Sequence, residues 1–241
     1  GERGQVIYDT TNSNVLINLN NDNLITTLDH KIGLNAAATA ANTVVEGDIN
    51  FTITGGSGFD TIVAGGGADT ISTGSGGGNV TAGAGADALT FAAGIDHATF
   101  SDSNGSDTIT AFDVNQDFLN FDGLTGVSGN GIATAADATI VDPTDGAIYV
   151  HADGDDGTGA DSTATQIASY TSMTDVAEFL EASYSVAADE NYVFVINDLV
   201  GADVYAYSVA ATAATLTAAM VTLVGTLNNI GGTALDVNEI S

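Results

Sequence analysis

Between residues 53 and 89 a large apolar side chain returns at every ninth position, inside a run too rich in glycine for a helix. Ile53, Ile62, Ile71, Val80 and Leu89 share this phase. Block 55–63, GGSGFDTIV, matches the pattern G-G-x-G-x-D-x-U-x in full, with U a large apolar residue. Block 64–72 is AGGGADTIS, with Ala64 in place of the first glycine. Block 73–81, TGSGGGNVT, carries Gly78 where the aspartate belongs, and block 82–90, AGAGADALT, restores it as Asp87. Weaker blocks flank these: EGDINFTIT at 46–54, FAAGIDHAT at 91–99 and, after a two-residue slip, DSNGSDTIT at 102–110. A solvated low-complexity loop would need no apolar residue in fixed phase.

The spacing has a physical reading. The first six residues of a block turn tightly, because glycine reaches positive φ and permits close backbone approach. The last three form a short strand with its apolar side chain inward, so each block makes half a coil and two blocks complete a turn. Stacking then brings carbonyls and carboxylates together on each edge, and these are hard oxygen ligands of the kind Ca²⁺ prefers. The candidate metal ligands are Gly56, Gly58 and Asp60; Gly65, Gly67 and Asp69; Gly74 and Gly76; Gly83, Gly85 and Asp87; and Asp96 and Asp107 in the weaker blocks. Several ions are expected. Asp69 and Asp87 should form the most complete pair, whereas Asp60 and Asp96 both meet the loop of Gly78, which lacks a carboxylate.

Charge sharpens the case. Thirty-one acidic residues face two basic ones, Arg3 and Lys31, for a formal net charge of -29. Salt bridges within the chain cannot neutralise this, and self-repulsion opposes a compact state. Binding nucleic acid or an anionic membrane surface needs clustered Lys or Arg, so both are excluded as electrostatic partners. With no cysteine there is no disulfide framework or thiolate zinc site. No apolar run approaches the roughly 18 residues of a membrane span, so no membrane insertion is expected. The first residues, GERGQVIYDT, show no basic segment followed by an apolar one, and no signal peptide is visible.

Blocks 55–90 resemble the RTX repeats of proteins exported by type I secretion. Segment 107–123, DTITAFDVNQDFLNFDG, is similar to the strand pair that commonly closes an RTX β-roll, with Asp107, Asp113 and Asp117 at its acidic positions and Ile109, Phe112, Leu119 and Phe121 at its apolar ones. NYVFVINDLVGADVYAYS at 191–208, followed by MVTLVGTL, resembles the C-terminal region of RTX surface-layer proteins. The resemblance implies export by an uncleaved C-terminal signal, folding outside the cell on meeting millimolar calcium, and an extracellular or cell-surface location.

The fold expected is all-β: a parallel β-roll at 46–123, preceded by N-terminal strands at 1–45 and followed by an antiparallel β-rich region at 124–241 with one short helix. Residues 5–29 (QVIYD, NVLINLN, NLITTL) alternate as two or three short strands, either capping the roll or adding to a neighbour's sheet edge. Segment 34–43 is an Ala-rich helix or spacer. GAIYVHA at 146–152 reads as a strand running into DGDDGTGAD, where Asp153, Asp155, Asp156 and Asp161 form either a calcium loop or a solvated acidic turn. Residues 172–184 carry a helix signature, with Ser172 or Thr174 as N-cap, Asp175 and Glu178 in the first turn, and Val176, Phe179 and Leu180 on one core-packing face.

Catalytic motifs are missing: there is no H-E-x-x-H, no G-x-S-x-G and no P-loop, and His30, His97 and His151 are isolated in sequence. The chain is therefore expected to be no enzyme and to have no catalytic residues. The expected function is structural, a calcium-dependent self-assembly into a surface layer or filament. Its partners would be further copies of the chain, as a homo-oligomer or polymer, and a cell-surface glycan. The alternative is a calcium-dependent adhesin, or the RTX secretion module of a larger protein.

Overall fold

A computed structural model describes residues 50–56, 58–102, 105–127, 145–151, 170, 172–198, 203–228, 230 and 235–241, together with four further short strands as backbone. Strands β1 (Leu16–Asn18), β2 (His30–Gly33) and β3 (Thr43–Val45) precede the repeats. Then come β4 (Phe51–Thr54), β5 (Asp60–Val63), β6 (Thr70–Ser72), β7 (Gly78–Thr81), β8 (Ala88–Thr90), β9 (Asp96–Ser101), β10 (Asp107–Thr110) and β11 (Phe118–Gly123). Odd strands up to β11 form one parallel sheet, and even strands up to β10 lie side by side in the other. The result is a parallel β-solenoid, in which each short strand crosses to the opposite sheet from the last.

The registers fix the coil length. Asp60 lies beside Gly78 and Thr70 beside Ala88, so 18 residues make one turn. Ala88 pairs with Thr108, which is the two-residue slip placed in the structure. The period works because burial alternates with it: Ile53, Ile62, Ile71, Val80 and Leu89 are all buried between the sheets. Each such side chain contributes about 1.5–3 kcal/mol of burial energy. The strands extend further towards the N-terminus than the repeats do. β3 pairs in parallel with β5, β1 with β3, and β2 with β4. β1 falls within NVLINLN; the other strands expected in 5–29 and residues 34–42 of the Ala-rich segment lie outside the described residues, and Thr43 opens β3.

The C-terminal region adds β12 (Ile132–Ala135), β13 (Ile148–His151), α1 (Met173–Ser183), β14 (Glu190–Asp198), β15 (Asp203–Ala211) and β16 (Val221–Asn228). β14, β15 and β16 are antiparallel, as expected, but β12, β13 and β14 pair in parallel. Parallel neighbours need a crossover, and α1 supplies the one between β13 and β14. The helix starts where the sequence places it: Ser172 is the N-cap and its side chain accepts from the Asp175 N–H. Val176, Phe179 and Leu180 pack with Tyr192, Phe194 and Tyr207 on one side of the sheet.

β16 also pairs in parallel with β10, which joins the C-terminal strands to the solenoid in a single sheet. The opposite side of β14–β16 shares the solenoid's core: Val193, Val195, Val204, Val224 and Leu227 cluster with Ile109 and Leu119. On the other solenoid sheet, the Ser241 N–H donates to the Leu119 carbonyl, so the chain's last residue covers β11. No helix among the described residues is long and apolar enough to cross a membrane.

Candidate functional site

The aspartates at the sixth position of the repeats stack into two columns, one along each turning edge. In the first column Asp69, Asp87 and Asp107 are each at most 2% exposed. Oδ1 of each accepts a backbone N–H from the coil before: Phe51 donates to Asp69, Asp69 to Asp87 and Asp87 to Asp107, over 2.7–3.1 Å. Asp69 and Asp87 thus lie on successive coils of one edge, the stacking that the 18-residue spacing predicts.

The second column holds Asp60, Asp96 and Asp117, all buried, with Gly78 between the first two. Asp117 Oδ1 accepts from the Asp96 N–H at 2.9 Å, repeating the relation of the first column. A second contact closes each turn upon itself. Asp60 Oδ2 accepts from the Gly56 N–H, Asp96 Oδ2 from Ala92 and Asp117 Oδ2 from Asp113, each four residues earlier. Beside Asp60 the ladder is interrupted: with no carboxylate at Gly78, the Asp60 N–H donates to the Gly77 carbonyl. Gly78 is also a point of close approach, since a Cβ there would lie 2.7 Å from the Asp60 carbonyl oxygen.

These carboxylates are costly to bury. Burial pushes the Asp87 carboxyl up to about 6, and the adjacent Asp69 charge adds to the rise, against the pull of the Asp69 N–H. Burial likewise raises Asp96 to about 6, with the Asp117 charge as the next cause. Asp117 is raised by burial too. Asp113, half-buried in the loop before it, is held below its ordinary value by hydrogen bonds from Asn115 and Gln116. In Asp87 and Asp96, hydrogen bonds within the protein satisfy only one of the two carboxylate oxygens. Asp87 Oδ2 and Asp96 Oδ1 are buried with no hydrogen-bond partner. A buried carboxylate oxygen without a donor is costly, and a bound cation is one way to compensate it.

The glycines of the turns stack beside these columns. Gly83 has φ +98°, and a Cβ there would stand 2.0 Å from the Gly65 carbonyl oxygen; Gly85 has the same relation to Gly67 at 1.9 Å. A Cβ at Gly74 would meet the Gly56 carbonyl at 2.3 Å, and one at Gly94 would meet the Gly76–Gly77 peptide, with the Gly77 nitrogen at 2.6 Å. Gly58 is buried in the turn before Asp60. Gly74, Gly83 and Gly85 thus lie one coil above Gly56, Gly65 and Gly67, against their carbonyl oxygens. Among the described residues no three carboxylates or histidines converge at one point. A cation at these edges would therefore draw on paired aspartates and backbone carbonyls. Asp153, Asp155, Asp156 and Asp161 lie outside the described residues.

Asp117 is a column member that the nine-residue count does not reach. It sits opposite Asp96 after 21 residues, and its signal is the pattern of β11, where Leu119 and Phe121 alternate inward. No family model, no curated protein and no solved structure matches the chain.

Proposed function

We propose that this chain is a secreted structural protein of RTX type that calcium orders and that then self-assembles at the cell surface, as a layer or a filament. The observation that carries the reading is the pair of buried aspartate columns, with carboxylate oxygens left without donors in a chain of 31 acids and two bases. Divalent cations held between successive coils would offset both the burial cost and the repulsion along each column. Hard oxygen donors, no thiolate and almost no basic side chain favour Ca²⁺ over transition metals. The ions in this reading build a scaffold and do no chemistry; the lack of an H-E-x-x-H, G-x-S-x-G or P-loop motif supports a non-enzymatic role.

The test is a calcium titration of the metal-free protein, followed by circular dichroism and electron microscopy. Calcium should restore β-structure that EDTA removes, and lattices or filaments should then form. A spectrum indifferent to EDTA would overturn the scaffolding role of the ions. Calcium-dependent folding into dispersed monomers at every protein concentration would favour the alternative, an adhesin or the secretion module of a larger protein.

A further inference from the structure

We infer that copies of the chain join head to tail, with Lys31 of one copy seated in an acidic pocket at the opposite end of the next. This names the contact of the self-assembly proposed above and rests on that reading.

The pocket lies where the solenoid stops. β11 is the last strand of its sheet, and the chain's final residues run beside it, with Ile240 opposite Leu119. Between the turn that enters β11 and a short 3₁₀ turn at Val237–Glu239 there is a cavity of about 400 Å³. Gln116, Asp117 and Phe118 line one side of it, and Asp236, Asn238 and Glu239 the other. The Phe118 ring is held by its stack on His97 at 4.8 Å.

The bonds that these acids make do not neutralise them. Asp236 Oδ1 accepts the Asn238 N–H at 2.6 Å, and Glu239 Oε2 accepts the Asp236 N–H at 2.8 Å. Both donors are uncharged amides. Burial raises the Glu239 carboxyl, and the Asp236 charge adds to the rise. Asp117 is already engaged, since each of its oxygens accepts a backbone N–H. Two carboxylates remain, and among the described residues no three acids or histidines come together to hold a metal ion. An ammonium group fits this set better, because carboxylate and amide oxygens can accept its three N–H donors.

Composition restricts where that group comes from. The chain's two basic side chains are Arg3 and Lys31, so residues 32–241 hold none. Lys31 is in β2, which ends its sheet four strands from β10. That separation is about 19 Å at 4.8 Å per strand, more than a lysine's four-carbon stem can span. Lys31 therefore reaches the pocket only from another copy.

The strand directions permit it. The solenoid strands are parallel from the first coil to the last, so a copy moved along the axis brings its β2 end to the β11 end of its neighbour. Copies of net charge -29 repel wherever acids face acids, and these are the ends where a base meets them. One such ion pair supplies little affinity and sets which ends meet. A contact between unlike ends that does not close into a ring grows into a filament.

The test uses wild-type protein assembled in calcium from an equal mixture of ¹⁴N and ¹⁵N copies. A carbodiimide then joins amines to carboxylates that touch. Lys31 is the only lysine, so mass spectrometry should find it linked to Asp236 or Glu239 of a differently labelled copy. Links from Lys31 to other acids alone, or within one copy alone, would overturn the inference. Lys31→Glu should raise the protein concentration needed for assembly by about tenfold or more, read by light scattering, with an unchanged circular dichroism spectrum. Adding Asp236→Lys and Glu239→Lys to that variant reverses both ends and should restore assembly. Assembly of Lys31→Glu at the wild-type concentration would overturn the inference while leaving self-assembly standing; a wild type that never assembles would overturn both.

Discussion

The Asp69 N–H donates to Oδ1 of Asp87 across 2.7 Å, so one carboxylate anchors the turn of the coil before it. Asp69 does the same for Phe51, and Asp107 for Asp87. The carboxylate thus has two separable duties, accepting a backbone proton and offering charge to a cation. Asparagine at 87 keeps an acceptor oxygen and loses the charge; alanine loses both. Without calcium, Asp87→Ala should be about 1–3 kcal/mol less stable than Asp87→Asn, the cost of a buried N–H with no acceptor. Asp87→Asn keeps the acceptor and removes the buried charge, so it should stabilise the calcium-free protein at pH 7 and reduce the stability that calcium adds. Denaturant melts of both variants, with and without calcium, check this separation.

The same reasoning ranks the two columns. Asp60 faces Gly78 and has no carboxylate beside it one coil later, whereas Asp69 faces Asp87. Asp69→Asn and Asp87→Asn should therefore shift the calcium midpoint of folding, read by circular dichroism, further than Asp60→Asn. Equal shifts would refute the paired-aspartate assignment.

In the metal-free protein, stability should rise as pH falls from 7 to 5. Asp87 and Asp96 titrate near 6 when folded and near 3.8 otherwise, so the folded state holds more protons than the unfolded one between those values. The penalty for their charge is full above about 6, shrinks through that window, and is absent below 3.8. Calcium should bind more weakly over the same window, since protons compete for the same oxygens. Thermal melts across pH, with EDTA and with calcium, should show opposite trends.

Gly83→Ala tests the packing of coil on coil. The residue has φ +98° and a Cβ would overlap the Gly65 carbonyl oxygen, so neither the backbone nor the neighbour accommodates it. A loss of at least about 2–3 kcal/mol is expected from strain and displacement together, read as a lowered denaturation midpoint in calcium.

Ala111 offers the opposite change. It is exposed and holds φ +60° in the turn after β10, a conformation that costs an L-residue roughly 1–2 kcal/mol. Ala111→Gly relieves this at some cost in unfolded-state entropy, for a net gain of up to about 1 kcal/mol. A higher melting temperature with an unchanged calcium midpoint is the expected result.

The repeats were legible because one requirement recurs in fixed phase: an inward apolar residue and a turn that only glycine tolerates. That phase alone places Asp69 against Asp87 and Asp60 against Gly78, as the registers show. Asp117 escapes the count because the coil before it is 21 residues long, and length variation breaks a period without breaking a stack. β2 and β3, HKIG and TVV, carry no glycine turn or aspartate to mark them as coils. The parallel pairing of β13 with β14 and of β10 with β16 is a contact between distant segments that no local pattern encodes. Gly78 looks in sequence like a lost aspartate, but the backbone of Asp60 passes so close that a side chain there would collide with it.

The seam between β10 and β16 sets a quantum of length for everything upstream of it. Because strands alternate between sheets, inserting nine residues before β10 would hand every earlier strand to the opposite wall. Inserting 18 would add one coil and leave each in place. The solenoid can thus lengthen as a ruler lengthens, in whole graduations from its N-terminal side, while the junction with the C-terminal strands stays untouched.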